Sequence, residues 1–139
     1  MKQTILIRDV QLVQGGISPR CDMLIQDGVI AKLGKDLNES AHFVIDGSRL
    51  TALPGLFDMH VHFGYYYSQP DLDNYDDYMV AYYALEQAKQ SLRLGITTVR
   101  DLSCPPNLMK QLRLAGQKGY VTVPRIIHAD AGICMTGGH

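Results

Sequence analysis

The hydrophobic pattern of the chain changes near residue 50. Before it, short apolar runs alternate with turn residues, as in an antiparallel sheet; the runs cover residues 4–13, 22–26, 29–33 and 43–46. Asp27-Gly28 lies between two of these runs and predicts a type I′ hairpin, in which both central residues need positive φ. Residues 1–50 are therefore predicted to form a small β module.

After residue 50, apolar strands alternate with amphipathic helices. Strands are predicted over residues 53–61, 96–99 and 121–129, because these runs are apolar or β-branched. A helix is predicted over residues 76–94, and a second, shorter helix opens at Pro105-Pro106. The first helix is predicted to bury the stripe formed by Ala81, Leu85, Ala88 and Leu92. This β-α-β-α-β order predicts a parallel sheet covered by helices.

Charge and composition narrow the classes of partner. The 139 residues include 13 Lys and Arg and 14 Asp and Glu, so there is no electrostatic reason to expect nucleic acid or an anionic membrane. No apolar run approaches the roughly 20 residues that span a bilayer, and charge returns at Arg8 and Asp9, too early for a signal peptide. The 3 cysteines form no C-x-x-C pair and are predicted to be reduced thiols. A cytoplasmic location is expected.

The candidate metal-binding residues lie at the end of the first strand after residue 50. Side chains alternate along a strand, so Asp58, His60 and His62 are predicted to share one face. Burying a carboxylate and two imidazoles costs several kcal/mol unless a partner satisfies them. Two His at i and i+2 can converge on one cation, and Asp58 could fix their geometry through a hydrogen bond. His60 and His62 are therefore predicted metal ligands, with Asp58 supporting them.

Three motifs in this order resemble the amidohydrolase superfamily. The first is P-G-x-x-D-x-H-x-H over residues 54–62, after a small β module. Residues 94–101, which read L-G-I-T-T-V-R-D, resemble the family's second-strand segment, and T-G-G-H at 136–139 is similar to a motif of prolidase-like and imidazolonepropionase-like members. The chain is accordingly identified as an N-terminal portion of such an enzyme.

The resemblance implies an α/β fold and a hydrolytic reaction. Residues 51–139 would form the first three or so strands of a TIM-like (β/α)₈ barrel, preceded in residues 1–50 by a small β-sandwich-like module. One or two divalent metal ions, with zinc as the expected metal, would activate a water molecule to attack the carbonyl carbon of an amide or peptide bond. His60 and His62 would be the first-strand ligands.

The resemblance also implies groups that these 139 residues do not supply. In the family, a Lys or Glu on strand four, His on strands five and six, and a catalytic Asp on strand eight complete the site. A complete barrel needs about 250 residues. We therefore expect these groups beyond His139, and we expect the 139 residues alone to be inactive. The complete enzyme is expected to be a homo-oligomer that acts on a small-molecule substrate.

Three further residues are candidates for substrate contact. By resemblance, His139 lies in the loop after the third strand, at the mouth of the site. Tyr65 begins a run of three tyrosines that could form an aromatic wall for the substrate or pack on neighbouring helices. Arg100-Asp101, at the end of the second strand, could orient a substrate carboxylate or brace the barrel through an ion pair. His128, within the third strand, is predicted to be a packed, hydrogen-bonded core residue.

Alternative functions remain open at this point. A dipeptidase-like activity on a substrate with a free carboxylate is preferred because of T-G-G-H, and a cyclic amidase or imidazolonepropionase-like activity is the nearest rival within enzymes. A different class is a non-catalytic remnant, or a metal-binding or assembly module. Substrate choice depends mostly on loops after strands that this sequence does not contain.

Overall fold

A computed structural model of the chain describes residues 3–13, 15–65, 75–133 and 135–137. The chain divides into two compact units, Met1–Pro54 and Gly55–His139. The first unit includes a short strand at Thr51–Ala52 that pairs with the first strand of the chain, past the boundary predicted at residue 50. No described helix combines the length and apolar character that a membrane-crossing segment requires.

The first unit is a five-stranded sheet. Its strands are β1 (Thr4–Leu12), β2 (Cys21–Gln26), β3 (Val29–Gly34), β4 (Phe43–Asp46) and β5 (Thr51–Ala52). They run in the order β3-β2-β1-β4, and β5 pairs with the end of β1. The β2–β3 connection is the predicted hairpin: Gln26 pairs with Val29, and Asp27 and Gly28 both have positive φ, at 52° and 79°. The hairpin prediction is confirmed.

One expectation for the first unit is wrong. The sheet is mixed rather than antiparallel, because β4 and β5 both run parallel to β1. The sandwich-like packing expected for this unit stays a prediction. The apolar runs predicted the strands themselves, but strand direction depends on how residues 35–42 and 47–50 reconnect to β1, and hydrophobic periodicity does not record that.

A buried carboxylate ties the strands of the first unit together. Asp22 accepts hydrogen bonds from the Arg8 guanidinium at 2.6 Å, from the backbone N–H of Asp9 at 2.9 Å and from that of Leu37 at 3.0 Å. The Asp9 N–H is the largest influence holding the pKa of Asp22 below its ordinary value, and the Arg8 and Leu37 donors act in the same direction against the effect of burial. Asp22 is therefore ionised and satisfied inside the sheet.

The second unit contains the predicted parallel sheet. Its elements are β6 (Leu56–Val61), α1 (Asp77–Arg93), β7 (Ile96–Asp101), α2 (Leu108–Gln117) and β8 (Arg125–His128). The strand order is β6-β7-β8, with both pairs parallel. The mixed α/β organisation is confirmed. Two strands are shorter than predicted, because β6 begins only after Pro54-Gly55 and β8 only after Pro124, and proline cannot donate a ladder hydrogen bond.

Helices α1 and α2 pack on the sheet through one apolar cluster. Its fully buried members include Ala84, Ala88, Val99 and Met109. The buried face of α1 is formed by Val80, Ala84 and Ala88, so the predicted stripe through Ala81, Leu85, Ala88 and Leu92 is displaced by about one residue around the helix. The small alanines on this face allow the helix to lie close to the strands.

The pairing of β6 with β7 is irregular at both ends. Near the start, Leu56 pairs with Ile96 and Phe57 with Thr98, which leaves Thr97 as an extra residue in β7. Further along, Asp58 pairs with Val99 and Val61 with Asp101, so β6 contains an extra residue between Asp58 and Val61. Such bulges bend a strand and redirect side chains at its end. The bulged end of β6 is the segment that contains the histidine pair.

Candidate metal centre

His60 and His62 converge at the end of β6. Their Nε2 atoms lie 3.1 Å apart, and the two rings meet edge to face with centroids 5.0 Å apart. His60 is exposed and His62 is half-buried. The two residues predicted to act together are therefore brought together, with the same nitrogen of each ring facing the other.

The other ring nitrogen of His62, Nδ1, contacts a main-chain carbonyl in the loop after β7. This nitrogen lies 3.2 Å from the carbonyl oxygen of Ser103, which follows β7. A carbonyl oxygen only accepts, so Nδ1 carries the proton and Nε2 presents a lone pair. Histidines that bind metals have this arrangement, in which one nitrogen is oriented by a hydrogen bond and the other is left to coordinate.

The separation of the two Nε2 atoms fits a shared metal ion. Two imidazole nitrogens on tetrahedral zinc, each about 2.05 Å from the ion, would be about 3.3 Å apart. The observed 3.1 Å is close to this value, and it is also compatible with a hydrogen bond from Nε2–H of His60 to Nε2 of His62. Within the described ranges, no three His, Cys, Asp or Glu side chains come together as a metal site. The pair would supply two ligands of a shell that other groups or water complete.

Asp58 contacts the histidine segment through the backbone. Its Oδ1 accepts the N–H of His60 at 3.1 Å, and the residue is half-buried. The bulge between Asp58 and Val61 interrupts the strict alternation that predicted a common face for Asp58, His60 and His62. The contact of Asp58 restrains the turn that presents His60, and a supporting role for Asp58 stays a prediction.

Tyr65 and Ser103 lie beside His62. The Ser103 hydroxyl is 3.2 Å from the Tyr65 hydroxyl, and the rings of Tyr65 and His62 are 6.1 Å apart. Tyr65 is 37% exposed. These groups line the same edge of the sheet as the histidines, because the loops after parallel strands meet at one end. Substrate contact by Tyr65 stays a prediction.

Arg100 points to a backbone group rather than to its acidic neighbour. Its Nε donates to the carbonyl oxygen of Met59 at 2.7 Å, which links β7 to β6. The ion pairs among the described residues do not include one between Arg100 and Asp101, so the brace considered from the sequence is a hydrogen bond to the main chain. Arg100 is exposed, and its proposed contact with a substrate carboxylate is untested.

Asp101 is a fully buried carboxylate behind the histidine pair. It accepts the N–H of Phe63 at 2.8 Å and the N–H of Ser103 at 3.2 Å. Burial raises the pKa of Asp101, while the Phe63 and Ser103 donors and the nearby His62 and His128 act in the opposite direction. The sequence placed Asp101 next to Arg100 but gave no sign that it connects the loops after β6 and β7.

The remaining residues that the sequence singled out do not contribute to the histidine site in the described part of the chain. His128 pairs with Asp101 in the sheet and is half-buried, but its Nδ1 has no hydrogen-bond partner among the described residues, so the expected hydrogen bond of that nitrogen is not found there. His139 and the tyrosines at 66 and 67 lie outside the described residues. Sequence reasoning missed Ser103, which acts through its backbone carbonyl in the loop after β7, so no side-chain signal could have revealed it.

Known proteins resemble this chain over part or nearly all of its length. It is 32% identical over 130 residues to the allantoinase of Bacillus velezensis, covering 87% of this chain and 26% of that protein. A solved structure of an Xaa-Pro dipeptidase with methionine in its active site has 32% identity and a TM-score of 0.84, covering 98% of this chain and 35% of that one. The dihydroorotase of Streptococcus pneumoniae is 42% identical over 50 residues, covering 36% of this chain and 12% of that protein.

The chain thus spans about a third or less of the length of these relatives. A sequence profile of the amidohydrolase family matches residues 51–129, which is more than half of the chain and contains β6, both helices, β7, β8 and the histidine pair. Divalent metals are typical of this family, in agreement with the donor set at the end of β6. The chain belongs to the amidohydrolase family.

Proposed function

We propose that this chain supplies the first three strands of a (β/α)₈ barrel in a metal-dependent enzyme that hydrolyses an amide or peptide C–N bond. The observation that carries the proposal is the convergence of the His60 and His62 Nε2 atoms, with His62 oriented by Ser103. The parallel β6-β7-β8 sheet, with α1 and α2 packed on it, supports the barrel. The 32% identity to an Xaa-Pro dipeptidase over 98% of the chain supports the reaction class.

His60 and His62 would hold a divalent cation, and zinc suits two neutral imidazoles. A metal in this position supplies activation of a water molecule and polarisation of the substrate carbonyl. The Ser103 carbonyl orients the His62 ring so that Nε2 faces Nε2 of His60, and Asp58 restrains the His60 backbone. Tyr65, whose ring lies 6.1 Å from that of His62, would contact the substrate side chain.

A dipeptidase-like activity on a small substrate with a free carboxylate is the preferred form of this proposal. It is supported by T-G-G-H at 136–139 and by the similarity to the Xaa-Pro dipeptidase. Arg100 is the described cation at the sheet edge that could meet a carboxylate, once its bond to Met59 is exchanged for one to substrate. A homo-oligomeric state and a cytoplasmic location remain expectations of the sequence.

A cyclic amidase is the second candidate. It is favoured by the relatives named allantoinase and dihydroorotase, the first of which matches 87% of the chain. The two candidates share the histidine pair and differ in the substrate that the surrounding loops accept. A non-catalytic, metal-binding role is the remaining alternative.

Hydrolysis assays on the polypeptide as its natural source produces it would test these proposals. The protein is stripped with a chelator, reloaded with zinc, and given a panel of Xaa-Pro dipeptides and a panel of five- and six-membered cyclic amides. We expect zinc-dependent release of amino acids from the dipeptides. Turnover of only the cyclic amides would select the second candidate. No turnover of either panel by zinc-loaded protein would contradict the hydrolase proposal.

A further inference from the structure

We propose that Asp101 is a positioning residue for the histidine pair, acting through the backbone of Phe63 and Ser103. The inference rests on the proposed function, because it assigns Asp101 a role in preparing His62 to bind a metal. Asp101 would touch neither metal nor substrate, since its side chain is fully buried. Its effect would be on the direction in which His62 presents its coordinating nitrogen.

Hydrogen bonds connect Asp101 to His62 from two sides. On one side, Oδ2 accepts the N–H of Phe63 at 2.8 Å, which fixes the residue that follows His62. On the other side, Oδ1 accepts the N–H of Ser103 at 3.2 Å. The carbonyl of the same Ser103 lies 3.2 Å from Nδ1 of His62. The backbone and the ring of His62 are therefore held against one carboxylate.

The site requires a group with two acceptors. A carboxylate offers an oxygen to each of the two N–H donors, whereas an amide of the same shape has only one oxygen and turns a second donor toward the other N–H. A main-chain bond across the β6–β7 pair, from Leu102 N–H to the Val61 carbonyl at 3.1 Å, leaves these two loops in place while their finer orientation depends on Asp101. Asp101→Asn would then disturb the orientation of Ser103 or of the His62–Phe63 turn without creating a cavity.

Asp130 provides a matched control at the same edge of the sheet. Its Oδ1 accepts one backbone N–H, that of Asn107, at 3.0 Å. An asparagine oxygen can replace a carboxylate with a single donor, and asparagine tolerates the positive φ of 68° at this position. The main-chain carbonyl of Asp130 accepts the N–H of Cys104 at 3.1 Å, a bond that asparagine keeps, so Asp130→Asn makes the same chemical change at a side chain that bonds to Asn107 and not to Phe63 or Ser103.

The experiment is ¹⁵N NMR of the histidine rings in the wild-type chain and both variants, followed by zinc titration. In the wild type and in Asp130→Asn, we expect His62 to be protonated on Nδ1. In Asp101→Asn, we expect a mixture of tautomers and a loss of zinc affinity of about 10- to 100-fold, the range seen when a partner of a metal ligand is removed. A folded Asp101→Asn with the wild-type tautomer and zinc affinity would overturn the proposal.

A second variant covers the case in which Asp101→Asn does not fold. Incorporating phenyllactic acid at position 63 replaces the Phe63 amide by an ester and deletes one N–H while every side chain stays. We expect the same change in tautomer, and an unchanged His62 ring would overturn the inference. If the wild-type chain bound no zinc, the assignment of His60 and His62 as a preformed metal pair would fail, while the tautomer comparison would still decide the role of Asp101.

Discussion

Gly55 marks the place where β6 begins against β7, and a methyl group there has little room. A Cβ added at Gly55 would lie 2.5 Å from Cγ2 and 2.8 Å from Cβ of Thr97, with Oγ1 closer still. Real Cβ atoms do not approach other atoms so closely, so the two strands would have to separate. Gly55 does not have positive φ, so the cost of Gly55→Ala is steric rather than conformational. The same region contains the register shift that leaves Thr97 unpaired.

The loss of stability expected for Gly55→Ala follows from these contacts. Overpacking of this kind costs about 1–3 kcal/mol, and three atoms of one side chain cannot all move away by a single rotation. Thr97→Ala removes Oγ1 and Cγ2 but leaves Cβ, so it would relieve part of the clash. Because Thr97 is exposed, its own replacement costs at most about 1 kcal/mol of strand preference. We therefore expect a coupling of about 1 kcal/mol between Gly55→Ala and Thr97→Ala.

The assay is a double-mutant cycle by urea unfolding. The chain has 8 tyrosines and no tryptophan, and every tyrosine lies between positions 65 and 120. Tyrosine fluorescence therefore reports the second unit alone. Gly55→Ala should lower the unfolding free energy of the second unit, and adding Thr97→Ala should restore part of that loss. Equal stability of Gly55→Ala and wild type, or strictly additive effects of the two changes, would refute the packing argument.

Two further predictions concern the cores. Met109→Ala, at a fully buried position of the second unit, should cost about 2–5 kcal/mol in the same fluorescence assay, and a loss below about 1 kcal/mol would show that the cluster is loosely packed. In the first unit, the lowered pKa of Asp22 means that its ionised form contributes stability that is complete above about pH 4 and is lost as the pH falls through the folded-state pKa. Amide exchange of β1 and β2 should therefore show acid destabilisation in wild type that is weaker in Asp22→Asn, and identical pH profiles would contradict it.

Short-range signals in the sequence predicted much of the fold. The Asp27-Gly28 hairpin follows from the positive φ that two adjacent residues must adopt, and the parallel β-α-β-α-β unit follows from periodicity. Chain direction in the first unit did not follow, because β4 reaches β1 through an irregular segment whose path has no period. The buried face of α1 was misplaced by one position, since Ala84 and Leu85 are both apolar and only packing on the sheet selects between them.

The sequence predicted the two candidate metal ligands, but it did not predict the residues that hold them in position. His60 and His62 could be named because an H-x-H pair at a strand end is polar where an apolar residue is expected. Ser103 acts through its carbonyl, which every residue possesses, so no side-chain pattern reveals it. Asp101 accepts main-chain N–H groups from two loops, and Phe63, which donates one of them, is 38 residues away in the sequence, so no local pattern reveals the contact.

The convergence of His60 and His62 on one cation is the central claim, and a zinc titration tests it most directly. Calorimetry would compare the wild-type chain with His60→Ala, His62→Ala and, as a control, His42→Ala, which changes an exposed histidine of the first unit. We predict one zinc site in wild type and in His42→Ala, and its loss in each of the other two variants. Zinc binding of equal affinity in all four proteins would contradict the assignment of the metal centre to the end of β6.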